Sequence, residues 1–225
     1  MSTGAPDFFF REAKRLNYVA RSAFKLLEIQ KKHGIIRQGA AVLDLGCAPG
    51  AWLQVACQNL GRIERGGAVI GVDLKKVKVP THYCDNRVQT LCSDVLKICP
   101  LGLARMSPSG KGFTLILSDM CPSVSGISSR DAILSAELGM HTLNLALSSN
   151  AKEEVQAEPN SDFQSGKGLL LPRGNMVIKI LEGEDSSEFL RLCKPCFKSV
   201  TWFRPKATRS TSREIYLIAE GRKGG

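Results

Sequence analysis

Two features of this sequence point to chemistry: a lysine inside an apolar strand, and a glycine turn at the end of another strand. Lys179 stands in Met176-Val177-Ile178-Lys179-Ile180-Leu181, where an ammonium is costly unless it is paired or used. A catalytic lysine competes there with two plainer readings, a buried ion pair without chemistry and a lysine facing solvent at a sheet edge. The stretch 42–54, VLDLGCAPGAWLQ, passes from an apolar strand (Val42, Leu43, Leu45) through a turn holding Gly46 and Gly50 into helix-compatible residues from Ala51. Glycine carries no Cβ, so a ligand can approach the backbone of such a turn closely. At the open ends of parallel strands a turn of this kind builds a nucleotide-sized crevice. The spacing selects the cofactor. A dinucleotide fingerprint requires G-x-G-x-x-G, and Gly46-Cys47-Ala48-Pro49-Gly50-Ala51 has another pattern. Pro49 also removes a backbone N–H that a pyrophosphate would use. An adenosine cofactor without phosphates fits better, and S-adenosylmethionine is the common one.

Two aspartates extend this constellation. Asp73 ends the strand GAVIGVDL, where a carboxylate can accept from both ribose hydroxyls. Asp94, in LCSDVL, ends the next strand near the place of an adenine amino group, and it also suits a helix cap. Trp52 is either core or the wall of the methionine end of the crevice, and we expect the wall. His141 shares a helical stripe with Leu134, Leu138 and Leu145 and reads as a packed core histidine. Of eight cysteines, Cys47, Cys57, Cys84, Cys92, Cys99 and Cys121 are scattered through apolar or strand-like contexts, which suits reduced thiols better than a disulfide framework. Cys193 and Cys196 form a lone C-x-x-C without a second ligand pair, so no metal is expected.

The elements that must position these residues read as follows. Helices cover 8–33. Strand 41–46, helix 51–60, strand 68–74 and a short strand at 88–93 come next, then a helix at 95–105 and strand 113–119. A loop at 120–130 precedes a helix at 131–148, and residues 149–168 read as a polar, disordered insertion. Strand 174–181, helix 185–194 and strands 198–204 and 214–220 complete the chain. Alternating strands and helices predict an α/β fold with a mostly parallel sheet covered on both faces. The last two strands have no helix between them and must pair antiparallel, an ending typical of Rossmann-like methyltransferases. At 225 residues we expect a single domain, 1–225, with a basic helical segment at 1–37.

Charge adds a partner. Lys and Arg total 31 against 21 Asp and Glu, a net charge of +10, which suits a polyanion. The excess is concentrated: eight basic and two acidic residues lie between Arg11 and Arg37, and seven basic and no acidic residues between Phe189 and Arg213. Phosphate neutralisation is what such patches most often do. No run of 18 apolar residues exists, so no membrane span is expected. The opening MSTGAPDFFFREAKR lacks the pattern of a secretory signal. An intracellular, non-secreted protein is expected, with cytoplasm, nucleus, mitochondrion and plastid all open. Monomer is the default.

Four segments in order resemble the FtsJ/RrmJ-type ribosomal RNA 2′-O-methyltransferases: RSAFKLLEI at 21–29, LDLGCAPGAWLQVA with GVDLKKV at 43–77, LSDMCPSVSG at 117–126, and VIKIL with RPKATRSTSREIYLIA at 177–219. The likeness is to short bacterial and organellar members, which slightly favours an organelle. It implies a Rossmann-like fold that uses S-adenosylmethionine, with Gly46, Gly50, Trp52, Asp73, Asp94 and Asp119 at the cofactor. It implies a catalytic tetrad of Lys25, Asp119, Lys179 and Glu214. Lys179 would be the general base, its pKa depressed by desolvation and by Lys25, taking the proton of a ribose 2′-hydroxyl. The substrate implied is RNA, most simply a uridine of the large-subunit ribosomal RNA, presented by the large subunit. Arg11, Lys14, Arg15, Arg21, Arg204, Lys206, Arg209 and Arg213 are the candidates for its backbone. Cys47 and Ala51 replace an alanine and a glycine of the usual turn. Ser123 replaces an asparagine after Asp119, a change that bears on how the target nucleotide is held. Competing readings are an RNA-binding ribosome-assembly factor that keeps the fold, a methyltransferase of transfer RNA or another RNA, and a Rossmann oxidoreductase, which Pro49 disfavours.

Overall fold

Apolar runs without polar alternation make strands that are buried on both faces, and β1 (Ala41–Leu45) is buried at every position. It is joined by β2 (Ala68–Asp73), β3 (Val88–Cys92), β4 (Phe113–Ser118), β5 (Leu170–Leu181), β6 (Phe197–Phe203) and β7 (Glu214–Arg222). The helices are α1 (Phe8–Arg15), α2 (Ala23–His33), α3 (Ala51–Asn59), α4 (Pro100–Met106), α5 (Ser128–Leu147) and α6 (Ser186–Cys193). The protein is described from a computed structural model, which covers residues 8–123, 125–147, 168–183 and 186–224. Residues 149–167 of the expected insertion lie outside the described residues.

One seven-stranded sheet runs β3-β2-β1-β4-β5-β7-β6. β1 to β5 pair in parallel, and β7 is antiparallel to both β5 and β6. The architecture is therefore the expected α/β fold, with its antiparallel strand inserted between β5 and the edge strand β6. The strand order reverses between β1 and β4, which is where open sheets of this kind hold ligands beyond their carboxyl ends. One face packs α2 and α3, with Leu26, Ile29, Leu53 and Val55 against Val177 and Tyr216. The other packs α4, α5 and α6, with Leu103, Leu143 and Phe189 against Ile116 and Ile178.

Several boundaries differ from the sequence reading: residues 16–22 interrupt the helices expected over 8–33, and β7 runs two residues past the expected 220. The single helix expected at 95–105 is a 3₁₀ turn, Val95–Lys97, followed by α4. Asp94 takes the N–H of Leu96 at 3.0 Å, and Pro100 starts a new helix because its ring cannot follow a helical turn. α5 begins three residues before the expected 131, so Asp131 lies in its first turn, where a carboxylate favours the helix dipole. β5 begins at Leu170 rather than 174, through an irregular register with β4 between Phe113 and Leu115. Within that stretch Pro172 has no N–H to give the ladder. His141 is half-buried, its Nε2 2.9 Å from the Val95 carbonyl, in keeping with a packed histidine.

One amide makes three of the bonds that fasten the basic N-terminal segment, beside those of Tyr83 to the Leu16 carbonyl and Tyr18 to Gln58. Gln54, fully buried on α3, donates through Nε2 to the Asn17 and His82 carbonyls at 2.9 and 3.0 Å and accepts from the Val19 N–H at 2.9 Å. Phe9 of α1 packs on Phe24 of α2 at 5.4 Å between ring centroids. Replacing Gln54 by Leu would leave these backbone groups without their partner, at about 2–4 kcal/mol. The expected result is a lower urea midpoint at unchanged m-value; an unshifted midpoint would show that the segment is held by other contacts.

Candidate active site

Beyond the carboxyl ends of β1 to β4 lies a crevice of about 510 Å³. Its floor is the glycine turn, with Gly46 and Ala48. Asp73 and Asp94 line it from the ends of β2 and β3, and Asp119 to Ser123 line it after β4. Gly46 has φ +78°, and a Cβ there would meet the backbone of Met120 at 3.0 Å. The turn is pinned by the Gly46 N–H to the Val72 carbonyl at 2.8 Å and the Ala48 N–H to Asp73 Oδ2 at 2.9 Å. Asp73 therefore shapes the turn as well as facing the crevice. Asp94 combines both of its expected roles, cap and wall. Leu74 and Leu96, 72% and 56% exposed, add apolar rims that suit a flat ring; sequence reasoning missed them because exposed leucines are common.

Two expected cofactor residues stand elsewhere. Gly50 opens α3 at φ +108°, and a Cβ there would meet Pro80 at 2.8 Å, so this glycine serves packing rather than the crevice lining. Trp52 is core, not wall. It is 3% exposed, its Nε1 donates to the Ser22 carbonyl at 2.9 Å, and its ring lies 5.9 Å from that of Tyr216. An indole N–H buried with a partner is the usual resting place of tryptophan.

At one end of the crevice four charged groups converge from four elements. Lys25, on α2, donates to Glu214 Oε2 at 2.7 Å. Lys179, on β5, lies 3.1 Å from Asp119 Oδ1 and 3.9 Å from Glu214 Oε1, and it donates to the Asp119 carbonyl at 2.6 Å. Both lysines are buried, 8% and 5% exposed. The register brings this about: Lys179 pairs with Tyr216 and Leu181 with Glu214 across the antiparallel ladder. Tyr216 is the residue that sequence reading missed. Its hydroxyl donates to Asp119 Oδ1 at 2.9 Å, and burial, with Asp119 and Glu214 adding, pushes its pKa well up. Its signal was an aromatic two residues after the glutamate, on the same face of the strand.

The expected depression of Lys179 does not occur. Burial pulls its pKa down, but the charges of Asp119 and Glu214 and the hydrogen bond to Asp119 outweigh it, and Lys179 is held above the ordinary lysine value. Lys25 is engaged by Glu214 and so does not act as an unshielded neighbouring cation. Lys179 is thus an ammonium in the resting protein. Below the crevice, Asp44 is fully buried and neither carboxylate oxygen has a hydrogen-bond partner. Burial, then Asp119 and Asp73, push its pKa well up. The crevice itself is lined by three carboxylates, Asp73, Asp94 and Asp119, and these residues fit a cofactor carrying a sulfonium and an ammonium better than an anionic dinucleotide.

The candidate RNA-binding cations fall into two groups. Arg15 pairs with Glu12, Arg204 bonds the Ser212 and Glu214 carbonyls, and Arg213 donates to the Ser128 carbonyl at 2.6 Å. These three hold local structure. Arg11, Lys14, Lys206 and Arg209 are exposed, and Arg21 is half-buried with a bond to the Ala207 carbonyl. Cys193 is buried and its thiol is pushed up to about 12 by burial. Among the described residues, no cluster of three or more His, Cys, Asp or Glu could hold a metal, and no helix is long and apolar enough to cross a membrane.

Residues 18–222 match the family model described as FtsJ-like methyltransferase. A Desulfosudis oleivorans protein named ribosomal RNA large subunit methyltransferase E is 37% identical, over 97% of this chain and 91% of its own. Proteins of the same name from Syntrophobacter fumaroxidans and Methanocaldococcus jannaschii are 36% and 34% identical, over 97% and 95% of this chain and 96% and 78% of theirs. A crystal structure of a Plasmodium falciparum protein described as a ribosomal RNA methyltransferase superposes with TM-score 0.67 at 23% identity, covering 92% of this chain and all of that one. That likeness shows the fold.

Asp44 supplies a pH test. Its folded pKa is raised above the unfolded value, so the folded state binds the extra proton and stability falls as pH rises from about 4 towards the folded pKa. Asp44→Asn should remove that decline, making the variant more stable than the parent at neutral pH in cofactor-free protein. Melting temperatures from pH 4 to 8 check this; parallel curves for the two proteins would place the ionisation elsewhere.

Proposed function

The chain belongs to the FtsJ-like methyltransferase family, and from that premise we propose that it methylates the ribose 2′-hydroxyl of an RNA, a nucleotide of the large-subunit ribosomal RNA, with S-adenosylmethionine as donor. The observation that carries this reading is the pair of buried lysines held by Asp119 and Glu214 at the end of the crevice. A crevice alone would serve any nucleoside ligand. Two buried ammonium groups on shared carboxylates serve a reaction that must hold and deprotonate a hydroxyl.

Asp73 would take the ribose hydroxyls of the cofactor and Asp94 the adenine edge, with Leu74 and Leu96 against the ring. Asp119 would face its cationic end. When bound, the cofactor supplies a methyl group already activated by a sulfonium. The protein's task is then mostly to bring the hydroxyl into line with that methyl. Lys25 and Glu214 would orient the hydroxyl from the α2 side. Lys179 would approach it from β5, steered by the carbonyl and carboxylate of Asp119. Once the neutral amine of Lys179 has taken the hydroxyl proton, the ammonium it becomes stabilises the negative charge on the attacking oxygen. To act as the general base, Lys179 must first lose its own proton, which its carboxylate partners oppose. A positive cofactor beside it favours that loss.

The large-subunit ribosomal RNA is the substrate that the relatives' names give them, and the basic front of the chain suits such a polyanion. The 2′-hydroxyl itself selects RNA over DNA.

Labelled S-adenosylmethionine with large ribosomal subunits tests the reading. Label should enter a ribose of the RNA. Lys179→Ala and Lys179→Arg should each lower transfer on the order of 10²–10⁴-fold, the range of general base catalysis, while cofactor still raises the melting temperature. Arginine keeps the charge and cannot accept a proton, so a nearly active Lys179→Arg would reduce Lys179 to an electrostatic role. Because Lys179 rests protonated, the parental rate should climb with pH through the neutral range; a flat profile would place the base elsewhere.

A further inference from the structure

A second, smaller cavity of about 210 Å³ adjoins the tetrad on the α2 side, lined by Arg21, Ser22, Lys25, Arg209, Ser212 and Glu214. It shares the Lys25–Glu214 pair with the site just described, and the other oxygen of Glu214 lies 3.9 Å from Lys179. Its chemistry differs from that of the crevice. Two guanidiniums and an ammonium converge on it, with two hydroxyls and a single carboxylate that is already engaged by Lys25.

The walls are built rather than incidental. The loop between β6 and β7 is clasped to α2 by Glu28, whose carboxylate accepts the N–H groups of Lys206 and Ala207 at 2.7 and 2.9 Å. Arg21 closes the clasp by donating to the Ala207 carbonyl at 2.6 Å. This fixes Arg21 on one side and carries Arg209 to the other. Ser22 occupies the N-cap position of α2, yet its side chain makes no capping bond, although capping is what serine there usually does. Burial, and then the charge of Arg209, weaken the hold of Arg21 on its proton, as expected of two guanidiniums brought together. An anion between them relieves that repulsion, and a planar fork on each side suits phosphate oxygens.

We propose that this cavity is a phosphate subsite, taking the 3′-phosphodiester of the nucleotide whose 2′-hydroxyl is methylated. The register follows from the nucleic acid's covalent structure. The 2′- and 3′-oxygens sit on adjacent ribose carbons, and the cavity and the tetrad share the Lys25–Glu214 wall. A phosphate held by Arg21 and Arg209 therefore fixes the neighbouring hydroxyl beside Lys179. This rests on the ribose-methylation reading for its register, but not for its anion. Arg209 is then a positioning residue for the reaction as well as a contributor to affinity.

Arg209 is exposed, so Arg209→Gln removes a charge without opening the core. Three measurements on the full-length protein separate the outcomes. Binding of a labelled single-stranded RNA at several salt concentrations should show a log–log slope smaller by about one for Arg209→Gln; an unchanged slope overturns the subsite. Uridine 3′-monophosphate should bind the parent, with cofactor present, more tightly than uridine 5′-monophosphate, and the preference should vanish in the variant. Equal binding of the two by the parent overturns the register. Methyl transfer to saturating large subunits should fall at least tenfold in Arg209→Gln and recover only partly in Arg209→Lys, which restores charge without the fork. Full activity of Arg209→Gln at saturation overturns the positioning role. A parent that transfers no methyl group to RNA removes the methylation reading, while the salt slope still decides whether an anion binds here.

Discussion

Two lysine ammoniums buried side by side are tolerable only because carboxylates are shared between them. Glu214 holds Lys25 with one oxygen and approaches Lys179 with the other, and Asp119 engages Lys179 through both its side chain and its carbonyl. Taking such charges from water costs several kcal/mol each unless the pairing is close and the remaining valences are filled. The four residues come from α2, the end of β4, β5 and β7. Each element must arrive at its place for the charges to be compensated, so the fold and the site stand or fall together.

The inserted antiparallel strand is how the chain meets that constraint. In an all-parallel continuation the next strand would start at the opposite end of the sheet and bring only its carboxyl end here. By turning back from the edge strand β6, the chain sets the beginning of β7 against the end of β5. The ladder then places Tyr216 across from Lys179 and Glu214 across from Leu181. Tyr216 spans both halves of the design. Its ring belongs to the α2–α3 core beside Trp52, and its hydroxyl reaches Asp119.

Most of this was legible in the sequence where a residue's type contradicts its surroundings. A lysine among Val177, Ile178 and Ile180, and a glycine turn after an apolar strand, announce their roles locally. The order of the sheet followed from the alternation of elements, and the antiparallel end from a missing helix. What was not legible depends on contacts distant in sequence. Trp52 has the same apolar neighbours whether it faces core or cofactor, and only the Ser22 carbonyl decides. The ionisation of Lys179 turns on whether Lys25 confronts it or is engaged by Glu214, which no spacing reveals. The helix at 95–105 was misread because Pro100 fits equally well inside a longer element's boundary and at the first turn of a new one.

The clasp of Glu28 and Arg21 on the β6–β7 loop has a consequence for divergence within such a family. A loop that recognises substrate can usually vary alone, since its ends are anchored and its tip is not. Here the loop's middle is bonded to the helix that carries Lys25. Changing its length or path would shift the helix that carries Lys25 or break three bonds to the loop backbone at once. On the proposed reading, recognition and chemistry would be inherited as one block, and a swap of this loop between relatives would need α2 to travel with it.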